Sequence, residues 1–160
     1  MKVLGVDPGY ERMGIAVLEK KISETLLYSD CVRTKMEVDF SLRLKELGEA
    51  LEIVIKKWRP DIVAVEKLFL TKNQKTASRV SEVRGMVLYI SALRGIETRE
   101  YTPLEIKTTI TGFGKADKRQ VAEMIHRTLR VPAKKMLDDE YDAIATGLTC
   151  IYKLPATYPH

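Results

Sequence analysis

Residues 2–32 read KVLGVDPGYERMGIAVLEKKISETLLYSDCV and contain three largely apolar segments separated by short polar turns. The first segment, Lys2–Asp7, is followed by a Pro-Gly pair, a combination typical of a buried strand that ends in a turn. Met13–Leu18 and Ile22–Val32 follow after gaps of only a few residues. Because such short connections permit antiparallel but not parallel pairing, this stretch predicts a three-stranded antiparallel meander.

The rest of the chain alternates between helical and strand patterns. Spacings of three and four between apolar residues predict a helix over Val38–Trp58, and Asp61–Glu66 is typical of a strand covered on both faces. Strands that are connected through helices pair in parallel, so we predict an α/β fold with a five-stranded mixed sheet: the meander plus two parallel strands, flanked by helices. The remaining predicted elements are a strand over Ile96–Tyr101 and helices over Lys75–Leu93, Leu104–Ile110, Asp117–Arg130 and Asp138–Tyr152.

Size and composition indicate a globular protein. The chain has 160 residues, of which 45% are hydrophobic and 31% charged, and we expect a single domain over residues 1–160. No basic segment followed by a long apolar segment marks a secretory signal, and no run of about 18 apolar residues could span a bilayer. We therefore expect a cytoplasmic protein.

The positive charge is concentrated in the middle of the chain. The net charge is +5, but residues 67–137 contain 15 basic and 6 acidic residues, so the remainder is net acidic. A basic stretch beside an acidic remainder suggests a surface that binds a polyanion next to an acidic pocket. On charge alone, a surface arranged for solubility explains the counts equally well.

Two acidic residues end predicted strands. Asp7 ends the first strand and Glu66 ends the fourth, so their carboxylates share one crevice if these strands are adjacent and parallel. A further acidic cluster begins the last helix. There Asp139 and Asp142 share a helix face, but Asp138 and Asp142 would share one as well, and spacing alone does not choose between the two pairs.

Carboxylates that are forced together repel one another, and hard divalent cations relieve that repulsion. Oxygen ligands suit Mg²⁺ or Mn²⁺, and two such ions about 4 Å apart can activate a water and stabilise the leaving oxygen of a phosphodiester. Two histidines and no cysteine cluster argue against zinc. Each acid taken alone is explained equally well as a turn, surface or helix-capping residue, but the combination favours a metal site.

Four ordered motifs resemble the RuvC family of Holliday-junction resolvases, which have a ribonuclease-H-like fold. The resemblance covers nearly the whole chain and implies that the four metal ligands are Asp7, Glu66, Asp139 and Asp142, which chooses Asp139 over Asp138. The motifs are GVDPGYERMGIAV (5–17), VAVEKLFLTKNQKTASRVSEVRG (63–85), GFGKADKRQVAEMI (112–125) and DDEYDAIATG (138–147).

The resemblance also implies an activity and its partners. It implies a metal-dependent endonuclease that resolves four-way DNA junctions by paired symmetrical nicks, in recombination and repair, with two Mg²⁺ ions per subunit and Mn²⁺ as a substitute. It further implies a homodimer, paired through the helix over Lys75–Leu93, that works beside the RuvA–RuvB branch-migration complex.

Five residues match DNA contacts of the family. By resemblance, one aromatic residue stacks on junction bases, two lysines lie near the scissile backbone and two glycines form a loop that approaches the DNA. Without the resemblance, these positions would be a core ring, a solvated helix face and an ordinary turn. The residues are Phe69, Lys107, Lys118, Gly112 and Gly114.

Three alternatives share part of this pattern. A related nuclease that cuts RNA or RNA–DNA hybrids would have the same acids without a need for a dimer. A non-catalytic junction-binding protein would lack one or more of the acids, and none is missing here. An ATP-binding protein of the actin-like type also begins with an Asp near Gly, but it normally needs two such domains, which 160 residues do not accommodate.

Overall fold

The computed structural model describes residues 1–67, 74–131 and 136–155. Its first three strands, β1 (Lys2–Asp7), β2 (Arg12–Lys20) and β3 (Glu24–Arg33), form the predicted antiparallel meander. β2 extends beyond the predicted Met13–Leu18 at both ends because backbone pairing continues past the apolar residues, for example between Lys20 and Glu24. The apolar pattern therefore marks the buried part of a strand rather than its full hydrogen-bonded length.

Two parallel strands complete the sheet, and five helices within the described residues cover it. β4 (Ile62–Glu66) pairs with β1, β5 (Glu97–Tyr101) pairs with β4, and the strand order is β3-β2-β1-β4-β5. The predicted mixed five-stranded α/β sheet is therefore confirmed. No helix in the described part of the chain has the length and apolar character needed to cross a membrane. The helices are α1 (Phe40–Trp58), α2 (Gln74–Leu93), α3 (Pro103–Thr111), α4 (Lys118–Thr128) and α5 (Asp138–Lys153).

The sheet has a separate hydrophobic core on each face. Leu4 and Val6 of β1 pack in the cluster that contains the buried residues of α1 and α2, whereas Val3 packs in the cluster of α3, α4 and α5. Side chains alternate between the two faces with a period of two residues. Asp7 at the end of β1 is therefore on the same face as Val3, the face that α5 covers.

α5 lies unusually close to the strands beneath it. A Cβ atom built on Gly5 would be 2.1 Å from the carbonyl oxygen of Ala143, and one on Gly14 would be 1.9 Å from the carbonyl oxygen of Asp139. Both distances join a side-chain position to backbone, which cannot move aside as a flexible side chain can. Glycine at these two positions therefore fixes the first turns of α5 over the ends of β1 and β2.

A buried glutamate fastens the start of α5. Glu140 is only 4% exposed, and its carboxylate accepts hydrogen bonds from Ser29 Oγ at 2.8 Å and from the Leu137 backbone N–H at 3.2 Å. The first bond reaches β3, and the second satisfies a backbone donor at the helix start. Glu140 thus ties the beginning of α5 to the sheet.

We predict that Glu140→Ala lowers the free energy of unfolding by about 2–4 kcal/mol, because it removes two acceptor oxygens from a buried site. The matched control is Glu105→Ala at the start of α3. Glu105 accepts the corresponding hydrogen bond from the Thr102 N–H at 2.8 Å, but its side chain is 42% exposed, so about 1 kcal/mol should be lost. Urea unfolding of both variants measures the difference, and equal losses would contradict the anchoring role of Glu140.

Candidate active site

The register of the parallel pair β1–β4 brings two acidic residues side by side. Val6 of β1 pairs with Val65 of β4, so Asp7 and Glu66 follow at the next position of adjacent strands. Ala64 packs in the same core as α5, and alternation places Glu66 on that face too. A shared crevice requires that β1 and β4 be adjacent and parallel, and they are. Both acids therefore lie at the carboxyl edge of the sheet.

The start of α5 brings the other two candidate acids to this edge. The pKa of Asp7 is raised well above its ordinary value, first by burial and then by repulsion from Glu66, Asp142 and Asp139. Repulsion of this kind acts over short distances, so the four acidic residues lie near one another at this edge. Asp138, the alternative that spacing left open, has a side chain that is 71% exposed, compared with 15% for Asp139.

Glu66 and Asp142, like Asp7, have a raised pKa and resist full ionisation. Burial and repulsion from Asp142 raise the pKa of Glu66 to about 7, although Lys118 and Lys107 act in the opposite direction. The pKa of Asp142 is also raised by burial, and its contact with Lys118 counteracts part of the shift. This cluster therefore carries negative charge that the protein's own cations only partly balance.

Two lysines share a cleft with these acids. Lys107 of α3 and Lys118 of α4 line a cavity of about 230 Å³ together with Glu66 and Asp142. Lys118 Nζ lies 3.0 Å from Asp142 Oδ2 and 3.7 Å from Asp138 Oδ2. The structure thus places both predicted DNA-contacting lysines beside the acidic cluster.

Sequence reasoning missed the residues on the other side of Asp139. Arg12 Nε lies 3.4 Å from Asp139 Oδ2, and Cys31 Sγ lies 3.9 Å from the same oxygen. Arg12 lies two residues before Gly14 on β2 and therefore faces α5 as Gly14 does, but only the structure shows that α5 covers this face. Cys31 follows from the β2–β3 register, in which it pairs with Gly14.

The donor set fits a hard divalent cation. All four candidate ligands are carboxylates, and their mutual repulsion is the kind that such an ion relieves. Within residues 1–67, 74–131 and 136–155, no three His, Cys, Asp or Glu side chains are arranged as a ready-made ion site. Asp142 and Asp139 instead contact Lys118 and Arg12, so these contacts would have to loosen for all four acids to share an ion.

Of the two predicted DNA-contacting glycines, one has a conformational reason for its identity. Gly112 ends α3 with a φ of 76°, a conformation that favours glycine. A Cβ on Gly114 would lie 2.4 Å from Leu104 Cδ1, but that atom ends a flexible and exposed side chain that can move aside. Contact of both glycines with DNA stays a prediction. Phe69, the predicted stacking residue, lies outside the described residues.

A mixed sheet with carboxylates at its carboxyl edge and a C-terminal helix carrying two more acids is the architecture of the ribonuclease-H-like resolvases. A family model described as crossover junction endodeoxyribonuclease RuvC matches residues 3–150. The chain therefore belongs to the RuvC family.

Individual relatives agree with this assignment. The chain is 40% identical over 150 residues to the crossover junction endodeoxyribonuclease RuvC of Desulforamulus reducens, covering 92% of this chain and 91% of that protein. The corresponding protein of Caldanaerobacter subterraneus is 39% identical, covering 92% and 90%. The fold also matches T. thermophilus RuvC, solved in complex with a Holliday junction substrate, with a TM-score of 0.87, 29% identity and coverage of 93% of this chain and 92% of that one.

We predict that Glu66→Gln stabilises the metal-free protein at pH 8 by about 2–3 kcal/mol and leaves its stability at pH 4 unchanged. The folded protein holds the proton of the Glu66 carboxyl group more tightly than the unfolded chain does, because the pKa of Glu66 is raised. The stability from Glu66 is therefore fully present below about pH 4.5 and is lost as the pH rises through about 7.

The measurement is urea unfolding in EDTA at both pH values, with exposed Glu123→Gln as the control. Added Mg²⁺ should stabilise the wild type at pH 8 more than the Glu66→Gln variant. A variant that is less stable than the wild type at pH 8 without metal would contradict the electrostatic account.

Proposed function

We propose that this protein resolves four-way DNA junctions at the acidic edge of its sheet, with Asp7, Glu66, Asp139 and Asp142 as catalytic metal ligands. The activity itself follows from membership of a family of crossover junction endodeoxyribonucleases. The observation that carries the site is the parallel register that places Asp7 beside Glu66 at the edge where α5 begins, and burial and then repulsion between these acids raise the pKa of Asp7. The proposed cofactor is two Mg²⁺ ions per subunit, with Mn²⁺ as a substitute.

Such a pair of ions, when bound, activates a water and stabilises the departing oxygen of a phosphodiester. The four acids would hold and orient this cofactor through their carboxylate oxygens. Lys107 and Lys118 attract the phosphate backbone as compact point charges without reading base identity. The products are expected to carry 5′-phosphate and 3′-hydroxyl ends.

Further DNA contacts belong to this proposal. Phe69 is proposed to stack on unpaired bases at the junction, a contact that contributes about 1–3 kcal/mol per base. Gly112 and Gly114 are proposed to allow the loop between α3 and α4 to approach the backbone. Lys107 and Lys118 support a DNA path across this edge of the sheet, because they line one cleft together with Glu66 and Asp142.

We propose that the protein acts as a homodimer, because a junction with near two-fold symmetry needs two symmetrically placed sites. Exposed apolar side chains on α1 and α2 support a contact there: Ile53 is 66% exposed, and Tyr89 and Leu93 are each 64% exposed. The RuvA–RuvB partnership, the cytoplasmic location and a single domain over residues 1–160 are proposed from the family resemblance and the composition.

We predict that Asp139→Asn and Asp7→Asn each lower the rate of junction cutting roughly 100-fold or more, since each removes a metal ligand. Junction binding should be retained because neither change removes a positive charge. Asp138→Asn is the matched control, since its exposed side chain is one residue away, and it should still cut.

The substrate for this test is a synthetic mobile four-way junction with Mg²⁺, and the cut positions are mapped on both pairs of strands. A matched RNA–DNA hybrid run in parallel tests the alternative of a ribonuclease. Cutting by Asp139→Asn at the wild-type rate would contradict the site, and preference for the hybrid would contradict the function.

We predict that Tyr89→Glu lowers the dimer affinity at least about tenfold, because it places a charge in an apolar contact. The single chain should stay folded, since Tyr89 is mostly exposed in it. Analytical ultracentrifugation measures the dimer, and circular dichroism checks the fold. Ile22→Glu, in the fully exposed turn between β2 and β3, is the control. An unchanged dimer in Tyr89→Glu would place the contact elsewhere.

A further inference from the structure

Each candidate metal ligand on α5 contacts a basic side chain from a different element. Asp142 contacts Lys118 of α4 at 3.0 Å, and Asp139 contacts Arg12 of β2 at 3.4 Å. The two cations therefore flank the start of α5 from opposite sides. Lys118 already has a role in the proposed function, whereas Arg12 has none.

The contact between Arg12 and Asp139 is loose and partly exposed. Only Nε of the guanidinium group lies within 3.4 Å of the carboxylate, and the Arg12 side chain is 53% exposed compared with 15% for Asp139. In the part of the chain that the structure describes, Asp139 is the only carboxylate within ion-pair distance of Arg12. Ion pairs of this kind contribute little to stability and exchange readily for another partner.

The Asp139 carboxylate cannot bind a divalent ion and Arg12 at full strength at the same time. An Asp139 that binds a divalent ion has fewer lone pairs available for Arg12, and its charge is already balanced. Arg12 is then left with an unbalanced guanidinium group at the rim of the acidic edge. A planar guanidinium group with several N–H donors is suited to a phosphate oxygen pair.

We infer that Arg12 is a phosphate-binding residue of this site: it pairs with Asp139 in the metal-free protein and contacts the DNA backbone once Asp139 binds metal. This inference rests on the proposed function, because it takes Asp139 to be a metal ligand. Two consequences follow that a merely structural Arg12 would not produce. Removal of Arg12 should strengthen metal binding in the absence of DNA, and it should weaken DNA binding mainly in the presence of metal.

The first test measures Mn²⁺ binding without DNA, by the electron paramagnetic resonance signal of the free ion. Arg12→Ala should bind Mn²⁺ about 2- to 5-fold more tightly than the wild type, because a competing cation is gone. Arg33→Ala is the matched control, since Arg33 pairs with Arg12 in the β2–β3 register, and it should bind Mn²⁺ as the wild type does. Weaker or unchanged binding by Arg12→Ala would overturn the inference.

The second test measures junction affinity as a function of salt, with Ca²⁺ or with EDTA, on gels that also verify an intact junction. With Ca²⁺, Arg12→Ala should lower the slope of log affinity against log salt by about 1, the loss of one phosphate contact. With EDTA the slope should change less, and Arg12→Lys should keep the wild-type slope with Ca²⁺. Equal slopes for Arg12→Ala and Arg33→Ala with Ca²⁺ would overturn the inference.

These results are distinguishable from failure of the proposed function. If the wild type binds no Mn²⁺, or if Asp139→Asn still cuts the junction, the metal site itself is wrong. If the wild type binds Mn²⁺ and Asp139→Asn is inactive, but Arg12→Ala behaves as Arg33→Ala does, the site stands and only the role of Arg12 is rejected. Thermal unfolding of Arg12→Ala and Arg12→Lys verifies that both variants are folded.

Discussion

The backbone of α5 rests directly on the backbones of β1 and β2, because no side chain separates them at Gly5 and Gly14. This contact sets the height and direction of the helix over the sheet. Asp139 and Asp142 on its first turns therefore lie above the strand ends that carry Asp7 and Glu66. A side chain as small as a methyl group between helix and strand would lift these acids away from their partners. The close packing of α5 on β1 and β2 therefore also assembles the acidic site.

The same packing creates an electrostatic problem. Four acidic residues lie near one another at a partly buried edge, and burial and then repulsion raise the pKa of Asp7 and Glu66. A site of this kind destabilises the protein that carries it and becomes favourable only with bound cations. Lys118 and Arg12 balance part of the charge through exposed, weak contacts that can be released. The acidic cluster therefore lowers the stability of the metal-free protein, as is common for functional sites.

The sequence predicted the order of the elements because each strand and helix has its own apolar period. It also indicated that Asp7 and Glu66 would share a crevice if their strands were adjacent and parallel, a condition that the structure meets. Spacing along α5 could not separate Asp138 from Asp139, because both can share a helix face with Asp142. The contacts of Arg12 and Glu140 were missed for another reason: each joins residues more than a hundred positions apart, and only the packing of α5 on the meander brings them together.

The alternation along β1 and β4 also limits how the two strand-end acids can change in evolution. Each acid faces α5 because it lies an even number of positions after a residue of its own strand that packs against α5: four positions after Val3 for Asp7 and two after Ala64 for Glu66. Loss or gain of one codon inside either strand would turn the acid toward α1 and α2 and expose an apolar side chain to the acidic cluster. These two segments therefore do not tolerate length variation, whereas the turn between β2 and β3 can vary in length without moving any of the four acids.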